Sequence, residues 1–156
     1  MSETIWQRAN IVEWNQILLN SYRQLLGAEL IQRYMNPLEQ AKTLFYAPFV
    51  LVSHGTESDP ILNYGNQTAL QLWELDWDEF TRTPSRQTAE AESREERQNL
   101  LMQVTQKGYI DNYSGVRISS TGKRFAIEKA IVWNLRDFEG KYCGQAATFN
   151  CWSLLS

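Results

Sequence analysis

The chain has 156 residues, enough for one domain with a helical extension and a sizeable core. Its 15 basic and 18 acidic residues leave a net charge of −3, with the basic ones scattered rather than striped, which excludes nucleic acid as an expected partner. No apolar run approaches the roughly 18 residues of a membrane span, and Met1 to Trp6 has neither the basic start nor the apolar stretch of a signal peptide. No membrane partner and a cytoplasmic location are therefore expected.

In chain order, Thr4 to Leu26 is predicted as an amphipathic helix. Ile11, Trp14, Leu18, Tyr22 and Leu25 recur at three- and four-residue intervals, and Gly27 supplies a stop. A short second helix is expected over Ala28 to Tyr34. Asn36-Pro37 opens a third, because proline fits a first helical turn. That helix should bury Leu38, Ala41, Leu44 and Phe45 and end near Pro48. At Phe49 the character changes. Phe49 to Val52 is β-branched and aromatic, bounded by Pro48 and the His54-Gly55-Thr56 turn, and a second short strand covers Ile61 to Tyr64.

Asn66 can cap a helix containing Ala69, Leu70, Leu72 and Trp73. Trp77 to Phe80 is another helical turn, and Thr83 to Glu92 is polar and aperiodic, so a loop is expected. Between Asp76 and Arg97 seven acids face four arginines, the pattern of a solvated surface. Ser93-Arg94-Glu95-Glu96 is a capping box for a helix with Leu100, Leu101 and Val104 inside, closed by Gly108.

Three strands complete the chain: Tyr109 to Ser119, Arg124 to Leu135 and Tyr142 to Trp152. Hairpin signals separate them at Ser120-Thr121-Gly122 and Asp137 to Gly140. The expected fold is α+β: a PAS-like five-stranded antiparallel sheet with helices on one face and an N-terminal helical extension covering the other. Residues 1–47 form the extension and 48–156 the PAS-like domain, acting as one unit. In the middle late strand Phe125, Ile127, Ile131 and Trp133 alternate with Ala126, Ala130 and Val132, so both sheet faces need cover. Cys143 and Cys151 sit eight residues apart on one expected strand, roughly 26 Å, beyond disulfide reach.

Several strings resemble the MEKHLA domain, a PAS-related family. They are Ser21-Tyr22-Arg23, Ala47 to Thr56, Pro60 to Asn66, Pro84-Ser85-Arg86, Tyr113 to Gly122, Val132-Trp133-Asn134 and Gly144 to Phe149. The family includes the C-terminal domain of plant class III homeodomain-leucine zipper factors and free-standing bacterial or cyanobacterial proteins. With no homeodomain or zipper ahead of it, this chain is similar to the free-standing kind. The resemblance implies a sensory or interaction role and supplies no catalytic residues or agreed ligand.

Chemistry finds little support. Ser53 and His54 are strand neighbours and point to opposite faces, and no Gly-x-Ser-x-Gly elbow is present. One His and two Cys lack metal-ligand spacing. The helix Ser93 to Lys107 has no axial haem ligand, and neither Cys falls on a pocket helix, where flavin-bonding PAS relatives carry theirs. No metal, covalent flavin or haem is expected. His54 reads as a turn residue satisfying local backbone groups.

The leading expectation is a sensory or ligand-binding module without catalytic residues, its small organic ligand held by Asn63, Tyr113, Arg117, Glu128 and Gln145. Glu128 is placed among apolar neighbours, with Arg117 on the neighbouring strand, or Lys123 and Arg124 nearby, as candidate ion-pair partners. The alternatives are a homodimer module anchored by Trp6, Trp14 and Trp152, and a small enzyme of steroid-isomerase shape using Asp111 or Glu128 as base.

Overall fold

In the computed structural model, which describes residues 4–89 and 94–156, the amphipathic start folds as a 3-10 turn, Ile5–Gln7, followed by α1, Ala9–Leu26. Gly27 stops α1 in the left-handed conformation (φ 73°), its N–H returning to the Arg23 carbonyl at 2.9 Å. The helix expected over Ala28 to Tyr34 does not form. The stretch between Gly27 and Asn36 is too short to repay helix nucleation on its own. Arg33 ties it down instead, donating to Gln40 Oε1 (3.2 Å), Asn20 Oδ1 (2.9 Å) and Gln16 Oε1 (2.9 Å).

Asn36 caps α2, Pro37–Phe45, by accepting from the Glu39 N–H. Ala41, Leu44 and Phe45 are buried as expected, but Leu38 is exposed, because the first turn of α2 lies beyond what α1 covers. Trp6 packs into the space between Ala41 and Phe45.

The sheet follows: β1, Val50–His54; β2, Leu62–Gly65; β3, Tyr109–Ile118; β4, Arg124–Arg136; β5, Tyr142–Phe149; and β6, Cys151–Leu154. The antiparallel order is β2-β1-β5-β4-β3, with β6 also on β4. The expected last strand thus breaks at Asn150. β5 pairs with Ile131 to Arg136 of β4, and β6 pairs with Phe125 to Glu128.

Where β4 changes partner, Lys129 takes φ 57° and an extra residue enters the strand. This bulge reverses the pleat. Phe125 and Ile127 therefore share the inner face with Ala130, not with Ile131 and Trp133 as simple alternation predicts. Asn112 (φ 56°) does the same for β3, after which Tyr113, Gly115 and Arg117 oppose Ala130, Ile127 and Phe125.

Each face has its own cover. On the outer face α1 delivers Leu18, Leu19 and Tyr22 onto Leu51, Trp133 and Leu135. Tyr22 meets the Trp133 ring edge-on at 5.0 Å, and the indole donates to the Leu18 carbonyl at 3.3 Å. Full burial of each such side chain contributes about 1.5–3 kcal/mol. The inner face is covered by α3, Gln67–Trp73; α4, Trp77–Phe80; a 3-10 turn, Ser85–Thr88, inside the expected loop; and α5, Arg94–Lys107. Trp73 packs edge-on against Phe80, Phe125 and Phe149. α5 applies Leu100 and Val104 to Val132. Ser93 of the expected capping box and the Leu101 side chain lie outside the described residues.

Asn66 joins these parts. Fully buried, it accepts from the N–H groups of Leu51 (3.1 Å) and Ala69 (3.2 Å) and donates to the carbonyls of Leu44 (3.0 Å) and Phe49 (2.9 Å). One side chain thereby caps α3, closes α2 and fixes the start of β1, using its whole hydrogen-bonding capacity. Asn66→Ala should lower stability by about 3 kcal/mol or more, because buried backbone groups lose their partners. Asn66→Asp should cost a similar amount at neutral pH, since its second oxygen would face two carbonyls. Urea denaturation of the three proteins checks both expectations.

Glu74 makes the other long-range tie, at the end of α3. Its carboxylate accepts from Ser119 Oγ (2.7 Å) and Thr121 Oγ1 and pairs with Lys123, fastening the β3–β4 hairpin to the helix. These bonds, that from Thr121 foremost, hold the carboxyl below its ordinary value of 4.5. A lowered folded pKa stabilises the fold above the unfolded value and is lost as pH falls through the folded one. Glu74→Gln should accordingly be less stable than wild type at pH 7, and the difference should shrink as pH falls below the unfolded value and close once it passes below the lowered folded one. Thermal unfolding of both proteins across that range measures it.

Candidate functional site

The inner face of the sheet keeps an apolar space. Between the inner sheet face and α3, α5 and the Ser85–Thr88 turn lies a cavity of about 80 Å³. Its wall is mostly apolar, with Val52, Leu62, Leu100, Ile127, Ala130 and Val132 contributing. At roughly 10–15 Å³ of such volume per water, it holds about five to eight waters or a molecule of similar bulk.

Of the five residues expected at a ligand site, three line this cavity: Tyr113, Arg117 and Gln145. The β3 bulge turns Tyr113 and Arg117 inward, and β5 brings Gln145 opposite Asn134 of β4. Asn63 lies elsewhere. Its Oδ1 accepts from Ser53 Oγ at 2.6 Å, and that hydroxyl also receives the Trp14 indole N–H at 2.9 Å on the outer side. Glu128 sits on the β4 bulge beside Cys151, exposed, and forms no ion pair with Arg117. The expected cross-strand pair fails because the bulge removes Glu128 from the pleat that Arg117 faces.

The cavity's polar groups are unevenly satisfied. Gln145 Nε2 donates to Asn134 Oδ1 (2.9 Å) and Asn134 Nδ2 to the Val104 carbonyl (3.2 Å), which fixes the amide orientation and leaves Gln145 Oε1 without a donor. Trp73 Nε1 is likewise buried without an acceptor. Arg117, only 7% exposed, donates to its neighbour's carbonyl at Val116 (2.8 Å) and to the Tyr113 hydroxyl (3.1 Å), with its guanidinium 5.6 Å from the Tyr113 ring centre. The Tyr113 hydroxyl in turn donates to Glu96 Oε1 of α5 at 2.5 Å. Burial pushes the Tyr113 phenol above its ordinary pKa, so it stays protonated as the donor.

Gly115 makes room for this chain. A Cβ there would stand 2.5 Å from the Tyr113 hydroxyl and 3.0 Å from Glu96 Oε1. His54 also reaches the cavity, with Nδ1 2.9 Å from the Gly55 carbonyl, the local backbone bond expected of it.

Trp73 and Ser85 were not expected at the site. The signal for Trp73 was its place one turn after Ala69 on the helix capped by Asn66, with an indole N–H that needs a partner wherever the ring is buried. Ser85 follows Pro84, whose bridge with Ile61 brings it to the sheet, a pairing with no local sequence signature.

The remaining expected residues are engaged within the chain. Trp6 is buried, Trp14 is bonded to Ser53, and Trp152 packs edge-on against Phe149 at 5.8 Å. Cys143 and Cys151 are free thiols and neither lines the cavity. Burial raises the Cys143 thiol, and Cys151 contacts Asn150. Among the described residues no cluster of His, Cys, Asp and Glu could hold a metal, and no helix is long and apolar enough to cross a membrane.

Comparison with known proteins agrees with this architecture. The PAS domain of a Colwellia psychrerythraea protein superimposes with a TM-score of 0.63 at 11% identity, over 72% of this chain and 94% of that one. A light-oxygen-voltage domain studied with a flavin analogue gives 0.59 at 18% identity, over 76% and 85%. An RNA-binding light-oxygen-voltage receptor gives 0.63 at 15% identity, over 78% of this chain and 34% of the receptor. At these identities the likeness is one of fold: an α+β PAS-like sheet with added N-terminal helices. In sequence, homeobox-leucine zipper protein HOX29 of Oryza sativa subsp. indica is 23% identical over 137 residues, 86% of this chain. The chain spans 16% of that protein's length. The MEKHLA domain pattern matches residues 12–154, nearly the whole chain including most of α1, and the chain belongs to the MEKHLA domain family.

Proposed function

We propose that this PAS-like domain is a sensory module that binds a compact small molecule in the inner cavity and performs no reaction on it. The observation that carries the reading is the cavity itself. It is an apolar space with a buried guanidinium, an unpaired indole N–H and an unpaired amide oxygen in its walls, the pattern of a site that orients a ligand. A structural core leaves few such groups unsatisfied.

The volume limits the ligand. About 80 Å³ is far below the roughly 300–1,000 Å³ of pockets that enclose drug-sized molecules. A flavin, as named for one of the similar folds, would need α5 to swing away from the sheet. The groups around the cavity also argue against catalysis. Asp111 is exposed on the β3 bulge and Glu128 on the β4 bulge, so neither presents a carboxylate to the cavity.

α5 is the element through which occupancy would be read. It joins the sheet through Leu100, Val104, the Asn134 bond and the Glu96–Tyr113 bond, and of these residues Leu100 and Tyr113 line the cavity. A ligand that binds one α5 position better than another shifts the population between them. Native mass spectrometry of the purified protein should show a retained small molecule that disappears on denaturation. Ala130→Leu, which adds three carbons to the cavity wall, should abolish that mass while keeping the fold by circular dichroism. A single bare-chain mass in both proteins, with no binding across a panel of small metabolites, would overturn the proposal.

A further inference from the structure

We infer that the cavity takes a compact monocarboxylate, held through its carboxylate by Arg117. This rests on the cavity-binding reading above and adds the chemical class of the ligand.

Arg117 is the basis. A guanidinium presents five N–H donors. Here its two hydrogen bonds go to a backbone carbonyl and a phenol, both neutral. Among the described residues the ion pairs engage Arg23, Arg33, Arg86 and Lys123 and leave Arg117 without a carboxylate. Glu96 reaches it only through the Tyr113 hydroxyl. A cation 93% removed from water, with no opposing charge in contact, carries a desolvation cost that an anion in the cavity would offset. The planar guanidinium fork matches a carboxylate in two parallel bonds.

The rest of the wall sets the ligand's body. It is aliphatic and aromatic, so the portion beyond the carboxylate is hydrocarbon. One guanidinium neutralises one negative charge, and an apolar wall disfavours a second, which selects a monocarboxylate over a phosphate ester. The volume corresponds to roughly five to eight water-sized groups, the bulk of a short or branched aliphatic acid. Tyr113 contributes as a positioning residue. Its hydroxyl donates a hydrogen bond to Glu96 and accepts one from Arg117, which holds the guanidinium in place without neutralising it.

The test compares butyrate, isovalerate and hexanoate with their neutral amides by titration calorimetry on the whole chain. At least one acid should bind roughly tenfold or more tightly than its amide, the factor that one charge-assisted bidentate contact supplies. Arg117→Gln should remove that preference, bringing acid and amide to similar weak affinity. Arg117→Lys keeps the charge but loses the fork, so it should weaken acid binding while retaining the order. A purely structural role for Arg117 would shift stability and leave the acid-to-amide ratio unchanged.

Equal binding of acid and amide by the wild type would overturn the carboxylate assignment and leave the cavity as a ligand site. So would no binding of either, if native mass spectrometry still shows a retained molecule. No binding of either and no retained molecule would overturn both readings.

Discussion

The constraint on which this structure depends is a sheet that is apolar on both faces. Leu51, Trp133, Leu135 and Ala146 point one way; Val50, Phe125, Ile127 and Phe149 point the other. Neither face can be left to water, so the chain must supply two covers. α1 and the segment after it form one, and the short helices with α5 form the other. The N-terminal helix is thus part of the fold's core, fixed by Trp133 against Leu18 and by a Ser21–Arg136 link in which the serine hydroxyl accepts from the Arg136 N–H at 3.0 Å.

The two covers differ in kind. α1 is long, strongly amphipathic and closes its face with large side chains. The inner cover is built from short pieces, and α5 applies only Leu100 and Val104 among its described buried side chains. The cavity lies under this weaker side. Two bulges decide what faces it. At Asn112 and Lys129 the strands spend one extra residue each, and the phase change brings Tyr113, Arg117, Ala130 and Val132 to the same cavity. Without the bulges the pleat would carry Glu128 inward and the apolar pair outward.

Much of this was legible in the sequence. Periodicity located α1, Pro37 and Asn36 located α2, and the turn signals located every hairpin of the late meander. Asn66 was recognisable as a cap from its place before an apolar helical run, although its bonds to Leu44, Leu51 and Phe49 depend on chain segments that sequence distance hides. The failures have specific causes. The Ala28 to Tyr34 segment has helical composition but spends Arg33 on α1 and α2 instead. The alternation of β4 misleads because a bulge needs only one residue at positive φ, and Lys129 does not advertise it as glycine would. Glu128 was assigned to the pocket for the same reason, since that assignment rests on an unbroken pleat. Tyr113, Arg117 and Gln145 line the cavity because the real bulges moved two of them there and β5 runs regularly through the third.

The proposed function follows from the apolar space on the inner face and the polar groups that line it. The buried Arg117, the Gln145 amide and the Trp73 indole all line this space, brought to it by β3, β5 and α3. A crystal structure of the protein as purified, at a resolution that shows ordered water, tests this most directly. The account predicts density in the cavity, either a compact molecule or a water cluster, in hydrogen-bond contact with the Arg117 guanidinium. A closed inner face, with Leu100 and Tyr113 collapsed onto Ala130 and Val132 and Arg117 turned to solvent, would contradict it.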